Sequence, residues 1–341
     1  MRLSVLDQSP IAEGSSGSQA LHNSLDLARL TDQLGFHRYW VAEHHGSPML
    51  AGASPEVLIG PIASVTSRLR IGSGGVMLPH YSPFKVAESF SMLSGLFPDR
   101  IDLAVGRAAG TDAVTAFALQ RDRRQGPPDD FPEHLTELLS YLNGALAPAH
   151  RFARLANLPG RPERPEPWLL GSSPQSGVWA AELGLPYAFA DFINPAGAES
   201  AAWYRQHFVP SSWRTGPQVM VALWVVCADT DEEARQLAAS ATMAFMLLHR
   251  GELIPVPTVE RALTFLEDEA QREETTAGVL SFRPPRRRRI VGTPARVRAG
   301  IEQAATEYGA DEVMVVTITH NHQARRRSYE LLAREFALES R

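Results

Sequence analysis

Short apolar runs alternate with amphipathic segments along most of the 341 residues. Runs such as Leu3–Gln8, Phe36–Ala42 and Gln218–Cys227 have the length and composition of buried strands. Between them, apolar residues recur at helical spacing, as in Ala20–Leu34, which ends before Gly35. Strands that alternate with helices in this way predict a parallel sheet covered by helices.

Eight segments of the chain have strand character, which fits a (β/α)8 TIM barrel with insertions. They are Leu3–Gln8, Phe36–Ala42, Leu69–Pro79, Arg100–Val105, Trp168–Leu170, Tyr187–Ala190, Gln218–Cys227 and Glu312–Thr317. A doubly wound sheet is the competing architecture, but it usually carries a phosphate-binding fingerprint after its first strand. The loop Glu13–Gly17 lacks that G-x-G-x-x-G spacing. We therefore expect one barrel domain over residues 1–341.

Two stretches depart from this alternation. Residues 113–132 are polar, and we expect them to be irregular. Residues 249–291 are expected to be an insertion within the barrel, with one helix at Val259–Glu269 and four arginines at Arg286–Arg289. An arginine run can bind nucleic acid, but this run has no interleaved aromatic residues and the chain is acidic. A solvated or mobile loop near an anionic site is the better interpretation.

Composition excludes several classes of protein. The formal net charge of −5 argues against a nucleic-acid binder. A single cysteine, Cys227, excludes a disulfide framework and a cysteine-based zinc site. The first residues lack a signal-peptide pattern, and no apolar run is long enough to cross a membrane. We therefore expect a cytoplasmic enzyme.

Four predicted strand ends are unusually polar or rich in glycine. They are Glu43-His44-His45, Gly72–Gly75, Gly106-Arg107 and Gly171–Ser173. In a TIM barrel the active site lies at the carboxyl ends of the strands. These four segments therefore predict the position of the site.

The paired histidines follow a buried strand, where acid–base chemistry is expected. Strand alternation places His44 and His45 on opposite sides if the strand continues that far, so one ring would face the cavity. The alternative is a pair of histidines that only pack or form hydrogen bonds. No metal is expected, because Glu43 does not complete the H-E-x-x-H pattern of a zinc site.

The glycine-rich end of the third strand is not a dinucleotide fingerprint, because Met77 occupies the position of its third glycine. The glycines either let the backbone approach a flat ring or form a bulge.

Arg107 follows a strand and a glycine, the position of an anion clamp. Ser172, Ser173 and Ser176 lie at a helix N-terminus, which suits a phosphate. Alone they indicate helix capping, whereas together with Arg107 they favour a phosphate site. His320 lies just past the eighth strand, as a substrate contact or as part of a surface loop.

The sequence resembles the bacterial luciferase-like monooxygenases, a family of flavin-dependent TIM-barrel enzymes. The resemblance covers nearly the whole chain. Within the family, the sequence is especially similar to the single-chain oxidoreductases. Its strongest segments are Leu34–His45, Ile71–Leu78, Pro98–Arg107, Trp179–Pro186 and Val291–Pro294.

The resemblance implies a role for each polar strand end. His44 corresponds to the catalytic histidine beside the flavin, with Glu43 and His45 as supporting residues. Gly74 and Gly75 fall where the family bends a strand under the isoalloxazine, often through a non-proline cis peptide.

The resemblance also implies the FMN phosphate site and a lid. Arg107 with Ser173 and Ser176, next to Ser172, corresponds to the phosphate site. The loop around residues 275–290 corresponds to a mobile lid, in which Arg288 and Arg289 would close over the cofactor or substrate.

The implied reaction uses reduced FMN and O2. A C4a-peroxyflavin would oxygenate a small organic substrate, with reduced FMN supplied by a separate flavin reductase and the protein acting as a homodimer. Two departures put light emission and aldehyde specificity in doubt: Gly106 replaces a reactive cysteine of the luciferases, and Ser172 replaces an acidic residue.

Two alternatives remain. One is hydride transfer with the deazaflavin F420 on the same fold. The other is a non-catalytic flavin-binding subunit, against which the retained Glu43-His44-His45 argues.

Overall fold

The computed structural model describes residues 1–108, 110–124, 130–155, 163–275 and 288–339. Its strands are β1 (Arg2–Asp7), β2 (Arg38–Val41), β3 (Arg70–Met77), β4 (Ile101–Gly106), β5 (Glu166–Gly171), β6 (Tyr187–Ala190), β7 (Val219–Cys227), β8 (Ile290–Gly292) and β9 (Glu312–Val316). Its α-helices are α1 (Gly17–Gln33), α2 (Pro55–Ser64), α3 (Pro83–Leu96), α4 (Ala113–Leu119), α5 (Phe131–Asn143), α6 (Pro174–Glu182), α7 (Ala198–His207), α8 (Asp231–His249), α9 (Val259–Thr275), α10 (Pro294–Tyr308) and α11 (His322–Glu335).

Eight of these strands close into a parallel barrel. Strands β1 to β7 pair in chain order, β7 pairs with β9, and β9 pairs with β1. The predicted TIM barrel is thus confirmed, and each of the eight predicted strands forms one strand of the barrel. No helix in the described ranges is both long and apolar enough to span a bilayer.

Two elements differ from the expectation. Strand β8 was missed inside the predicted insertion 249–291; it pairs with the end of β7, where Val225 faces Ile290. Three residues are too few to show a period. Helix α4 lies in the stretch expected to be irregular; it buries none of its side chains, and Asp112 caps its first turn. Strand β8 is stabilised by its pairing with β7, and α4 by its N-cap. Neither has the apolar periodicity from which the other elements were predicted. Arg286 and Arg287 lie outside the described residues.

Short local signals set the helix boundaries. Four helices, α2, α3, α6 and α10, begin with a serine or threonine followed by proline. Proline suits this first helical position because its fixed φ is already helical and the N–H that it lacks would have no helical partner. Helices α5 and α10 end at Gly144 and Gly309, which adopt left-handed φ values of 61° and 55°.

Strand alternation divides the apolar residues into two layers. Leu3 and Val5 of β1 pack outward against the helices, whereas Leu6 packs inside the barrel with Trp40 and Trp168. The base of the interior, at the amino ends of the strands, is filled by charged side chains instead.

The buried Arg38 guanidinium is central to this base. Its NH1 lies 2.6 Å from Asp102 Oδ2, and its Nε lies 3.2 Å from Glu312 Oε1. Arg70 binds the other oxygen of Asp102 at 2.6 Å. Burial opposes ionisation of Asp102, yet Arg38 and Arg70 hold the pKa of this carboxyl below its ordinary value. The base of the barrel is therefore an ion cluster, in which Arg38 is the cation that Asp102 and Glu312 share.

Replacing this arginine with an apolar residue should destabilise the fold. In R38M, Asp102 and Glu312 would stay buried without their shared cation, and we expect a loss of about 3–5 kcal/mol in the free energy of unfolding. Urea unfolding measures it. The matched control is R235M, which breaks an exposed pair with Glu232 on α8 and should change stability little. Equal stability of the two variants would contradict the role of Arg38.

Candidate active site

A cavity of about 310 Å³ occupies the barrel interior at the carboxyl ends of the strands. Residues at or just beyond the ends of several strands line it, among them Gln8, His44, Gly74, Arg107 and Ser172. The remaining wall is mostly apolar, with Leu6, Trp40, Met220 and Met314 from the interior layer. Three of the four polar strand ends therefore contribute side chains to one space, and Gly74 brings the fourth to it.

His44 carries an unpaired polar atom at this cavity. Its backbone N–H donates to Gly52 O at 2.8 Å, which fixes the chain just after β2. Its ring Nδ1 is buried and has no hydrogen-bond partner within the described residues. Burial, with a smaller contribution from His45, lowers the pKa of His44 to about 4. The imidazole is therefore neutral near pH 7, in a residue that lines the cavity.

Glu43 and His45 turn away from the cavity and hold this turn in place. Glu43 is fully buried, and its carboxylate accepts hydrogen bonds from Met77 N at 3.0 Å and Tyr81 OH at 2.9 Å. His45 Nε2 lies 2.7 Å from Glu43 Oε1. One ring of the pair faces the cavity, as predicted; β2 ends at Val41, so the loop rather than strand alternation directs the two rings.

The peptide between Gly74 and Gly75 is cis. The strand register shifts between Gly74 and Val76, which is a bulge or a similar irregularity and agrees with one of the two alternatives for these glycines. A Cβ on Gly74 would lie 2.5 Å from Leu6 Cδ1, and a Cβ on Gly75 would lie 2.5 Å from Leu170 Cδ2. A Cβ on Gly75 would also lie 2.7 Å from the backbone oxygen of Ala104, and a Cβ on Gly74 would lie 3.1 Å from Trp40 Cβ. Packing inside the barrel therefore favours glycine at both positions, most strictly at Gly75.

The opposite part of the cavity suits an anion. Arg107 is exposed at the end of β4, with its guanidinium 5.4 Å from the centroid of the Trp179 ring on α6. Ser173 is the N-cap of α6, and its side chain does not cap the helix. Ser176 is engaged already, because its hydroxyl donates to Ser173 O at 2.6 Å and lies 3.0 Å from Tyr187 OH. A cation and a helix N-terminus therefore converge here, and Ser176 lines the same cavity while its hydroxyl is bonded within the protein.

Three predicted lid or substrate residues lie elsewhere in the described structure. Arg288 pairs with Asp191 at 3.1 Å, and Arg289 NH1 donates to Thr242 Oγ1 at 2.9 Å. His320 Nε2 lies 3.2 Å from Glu13 O. None of the three is among the side chains that line the cavity in the described ranges.

Gln8 is a lining residue that the sequence did not reveal. It is 5% exposed, and its Oε1 has no hydrogen-bond partner among the described residues. Leu6 and Gln8 share the inward face of β1 and its continuation, so a polar residue at an inward position past a strand end was the available signal.

We compared the chain with models of known protein families. The model of the luciferase-like monooxygenases matches residues 1–312. The chain belongs to this family. The resemblance drawn from the sequence is thereby confirmed.

Members of the family are similar over almost their full lengths. A luciferase-like monooxygenase of Escherichia coli K12 is 41% identical over 330 residues, 96% of this chain and 95% of that protein. The N-acetyl-S-alkylcysteine monooxygenase of Bacillus subtilis is 35% identical over 336 residues, 98% and 97% of the two chains. The crystal structure of apo-MsnO8 is 39% identical with a TM-score of 0.87, covering 100% of this chain and 99% of that one.

More distant structures share the fold alone. One is the oxygenating constituent of 3,6-diketocamphane monooxygenase in complex with FMN, with a TM-score of 0.70 and 19% identity, covering 98% and 97% of the two chains. Another is an F420-dependent secondary alcohol dehydrogenase, with a TM-score of 0.68 and 12% identity, covering 99% of each. Of these two proteins with a similar barrel, one is in complex with FMN and the other with an F420-acetone adduct.

The titration of His44 tests the geometry of the site. We expect an NMR midpoint near pH 4, identified by the signal that H44Q lacks. Because an unfolded histidine titrates near 6.5, the unfolded state binds more protons than the folded state between pH 4 and 6.5. The free energy of unfolding should therefore decrease as the pH is lowered from 6.5 to 4. H44Q should lose this part of the pH dependence. A midpoint near 6.5 would show that the ring is solvated.

Proposed function

We propose that this protein is a flavin-dependent monooxygenase that uses reduced FMN and O2 to oxygenate a small organic substrate. One observation carries the proposal. His44 lines an apolar cavity whose other part bears Arg107 and the N-terminus of α6, and its ring Nδ1 is buried without a hydrogen-bond partner among the described residues. A polar atom that is buried without a partner is costly, so a ligand is the natural partner for Nδ1.

The chemistry of the site fits FMN. A phosphate suits Arg107 and the start of α6, because a guanidinium and free helix N–H groups both favour an anion. The apolar wall and the glycine backbone at Gly74 suit a flat ring. Reduced FMN, when bound, would supply the activation of O2. A separate flavin reductase would provide it in reduced form.

The protein would contribute position, exclusion of water and proton handling. His44 would hold or transfer a proton at Nδ1, and its lowered pKa leaves it neutral and able to act as a base near pH 7. Glu43 and His45 would keep that ring in place through their mutual bond and the bonds to Met77 N and Tyr81 OH. The named activity of the Bacillus subtilis relative, at 35% identity, supports oxygenation rather than hydride transfer.

A cofactor titration with a His44 variant tests the proposal. We expect the purified protein to bind reduced FMN more tightly than F420 and, with a flavin reductase and NADH in air, to oxygenate a trial substrate. N-acetyl-S-alkylcysteines are the first choice, because a relative is named for them. In H44A, FMN affinity should stay largely intact, whereas turnover should fall by about 10²- to 10⁴-fold because the proton-handling group is lost.

Each alternative has its own result in this experiment. Unchanged turnover of H44A would refute the catalytic role of His44. Tight binding of F420 in place of FMN would favour hydride transfer. Binding of FMN without any effect on its oxidation in air would indicate a non-catalytic subunit.

Arg107 is expected to recognise the phosphate and not the ring. In R107M, the affinity for FMN should fall about ten- to hundredfold, since a hydrogen bond to a charged group contributes about 1.5–3 kcal/mol. The affinity for riboflavin, which lacks the phosphate, should hardly change. R107K keeps the charge without the planar fork and should lie between wild type and R107M. Fluorescence titrations measure all three, and a parallel fall for both flavins would contradict the assignment.

A further inference from the structure

We infer that the side-chain amide of Gln8 binds the imide edge of the flavin ring, where an N–H stands beside a carbonyl. The inference rests on the proposed function, because it assigns a contact to the cofactor proposed above. It starts from Gln8, which lines the cavity and whose Oε1 is buried without a hydrogen-bond partner among the described residues.

The backbone next to Gln8 is held by several contacts. Ser9, the next residue, has a left-handed φ of 49°. Its N–H donates to Asp7 Oδ1 at 2.7 Å, and its carbonyl accepts from Ala51 N at 2.9 Å. Asp7 is itself fixed by Arg325 NH2 at 2.6 Å. The backbone therefore presents Gln8 to the cavity in a set position, before any ligand is present.

The missing partner of Oε1 must be a hydrogen-bond donor. A glutamine amide carries one acceptor oxygen and an NH2 donor side by side. A ligand group that satisfies both has an N–H next to a C=O. The pyrimidine part of the isoalloxazine ring has this pattern at N3 and its neighbouring carbonyls.

The order of the strands places Gln8 where a ring would lie. The anion-binding part of the cavity lies at the ends of β4 and β5, where Arg107 and Ser173 are found. Gly74 on β3 lies between this part and the ends of β2 and β1, which carry His44 and Gln8. A ligand held by its phosphate at β4 and β5 would extend across β3 toward Gln8.

The experiment compares FMN with 3-methyl-FMN, in which a methyl group replaces the N3 hydrogen. In wild type, we expect 3-methyl-FMN to bind more weakly than FMN. In Q8L, FMN should bind roughly two- to tenfold more weakly, the range of one net hydrogen bond, and the two flavins should bind alike. Leucine has a volume similar to that of glutamine, so a purely steric effect of the methyl group would persist in Q8L.

A second measurement separates a binding role from a structural one. Because Oε1 has no partner among the described residues, Q8L removes a buried unsatisfied group, and we expect its thermal midpoint without ligand to equal or exceed that of wild type. The matched control is Q19L, an exposed glutamine on α1, which should change neither midpoint nor affinity.

Each result decides the inference. Unchanged FMN affinity in Q8L, or a penalty for 3-methyl-FMN that persists in Q8L, overturns the contact while the proposed function stands. A lowered midpoint of Q8L without ligand overturns it too, because Gln8 would then stabilise the fold. If wild type does not bind FMN, the proposed function fails first and this inference fails with it.

Discussion

The neutralisation of buried charge at the base of the barrel underlies the rest of the structure. Arg38 on β2 joins Asp102 on β4 to Glu312 on β9. Because side chains alternate along a strand, fixing these residues inward at the base also fixes which residues face inward higher up. On β2 the next inward residues are Trp40 and Ala42, and the cavity begins there. A shift of one residue in any of these strands would expose a charge to the outer apolar layer, so the ion cluster specifies the register on which the cavity depends.

Buried polar groups are treated differently at the two ends of the barrel. At the base, Asp102 accepts hydrogen bonds from Arg38, Arg70 and Trp40 Nε1. At the carboxyl end, His44 Nδ1 and Gln8 Oε1 have no partner in the described structure. Both kinds of burial cost free energy, but only the first is offset within the protein. The protein therefore supplies the partners of Asp102 itself, whereas His44 Nδ1 and Gln8 Oε1, like Trp168 Nε1 and Ser240 Oγ, have none among the described residues. What sets His44 and Gln8 apart is that both residues line the cavity and are polar.

Periodicity predicted the barrel and its polar end, because buried strands and their order are encoded in the apolar pattern. It could not show α4, which buries nothing, or β8, which has three residues. It also predicted which residues lie at the strand ends but not which of them face the cavity. Arg288, Arg289 and His320 lie at the expected end, yet each has a partner elsewhere. Gln8, in contrast, was not predicted as a site residue, yet it lines the cavity. It is recognised there because its Oε1 is buried without a hydrogen-bond partner among the described residues.

The resemblance predicted a bend at the two glycines of β3, but it did not explain why glycine is needed there. The family pattern implied a bend at Gly74 and Gly75, and the backbone there has a cis peptide and a register shift. The physical reason for glycine at these positions is space: a Cβ on Gly75 would lie 2.7 Å from the backbone oxygen of Ala104, and a Cβ on Gly74 would lie 2.5 Å from Leu6 Cδ1. The surrounding barrel therefore explains why these two residues are glycines. Gln8 lies one residue past the end of β1, so the strand whose Leu6 packs against Gly74 also brings the Gln8 side chain to the cavity.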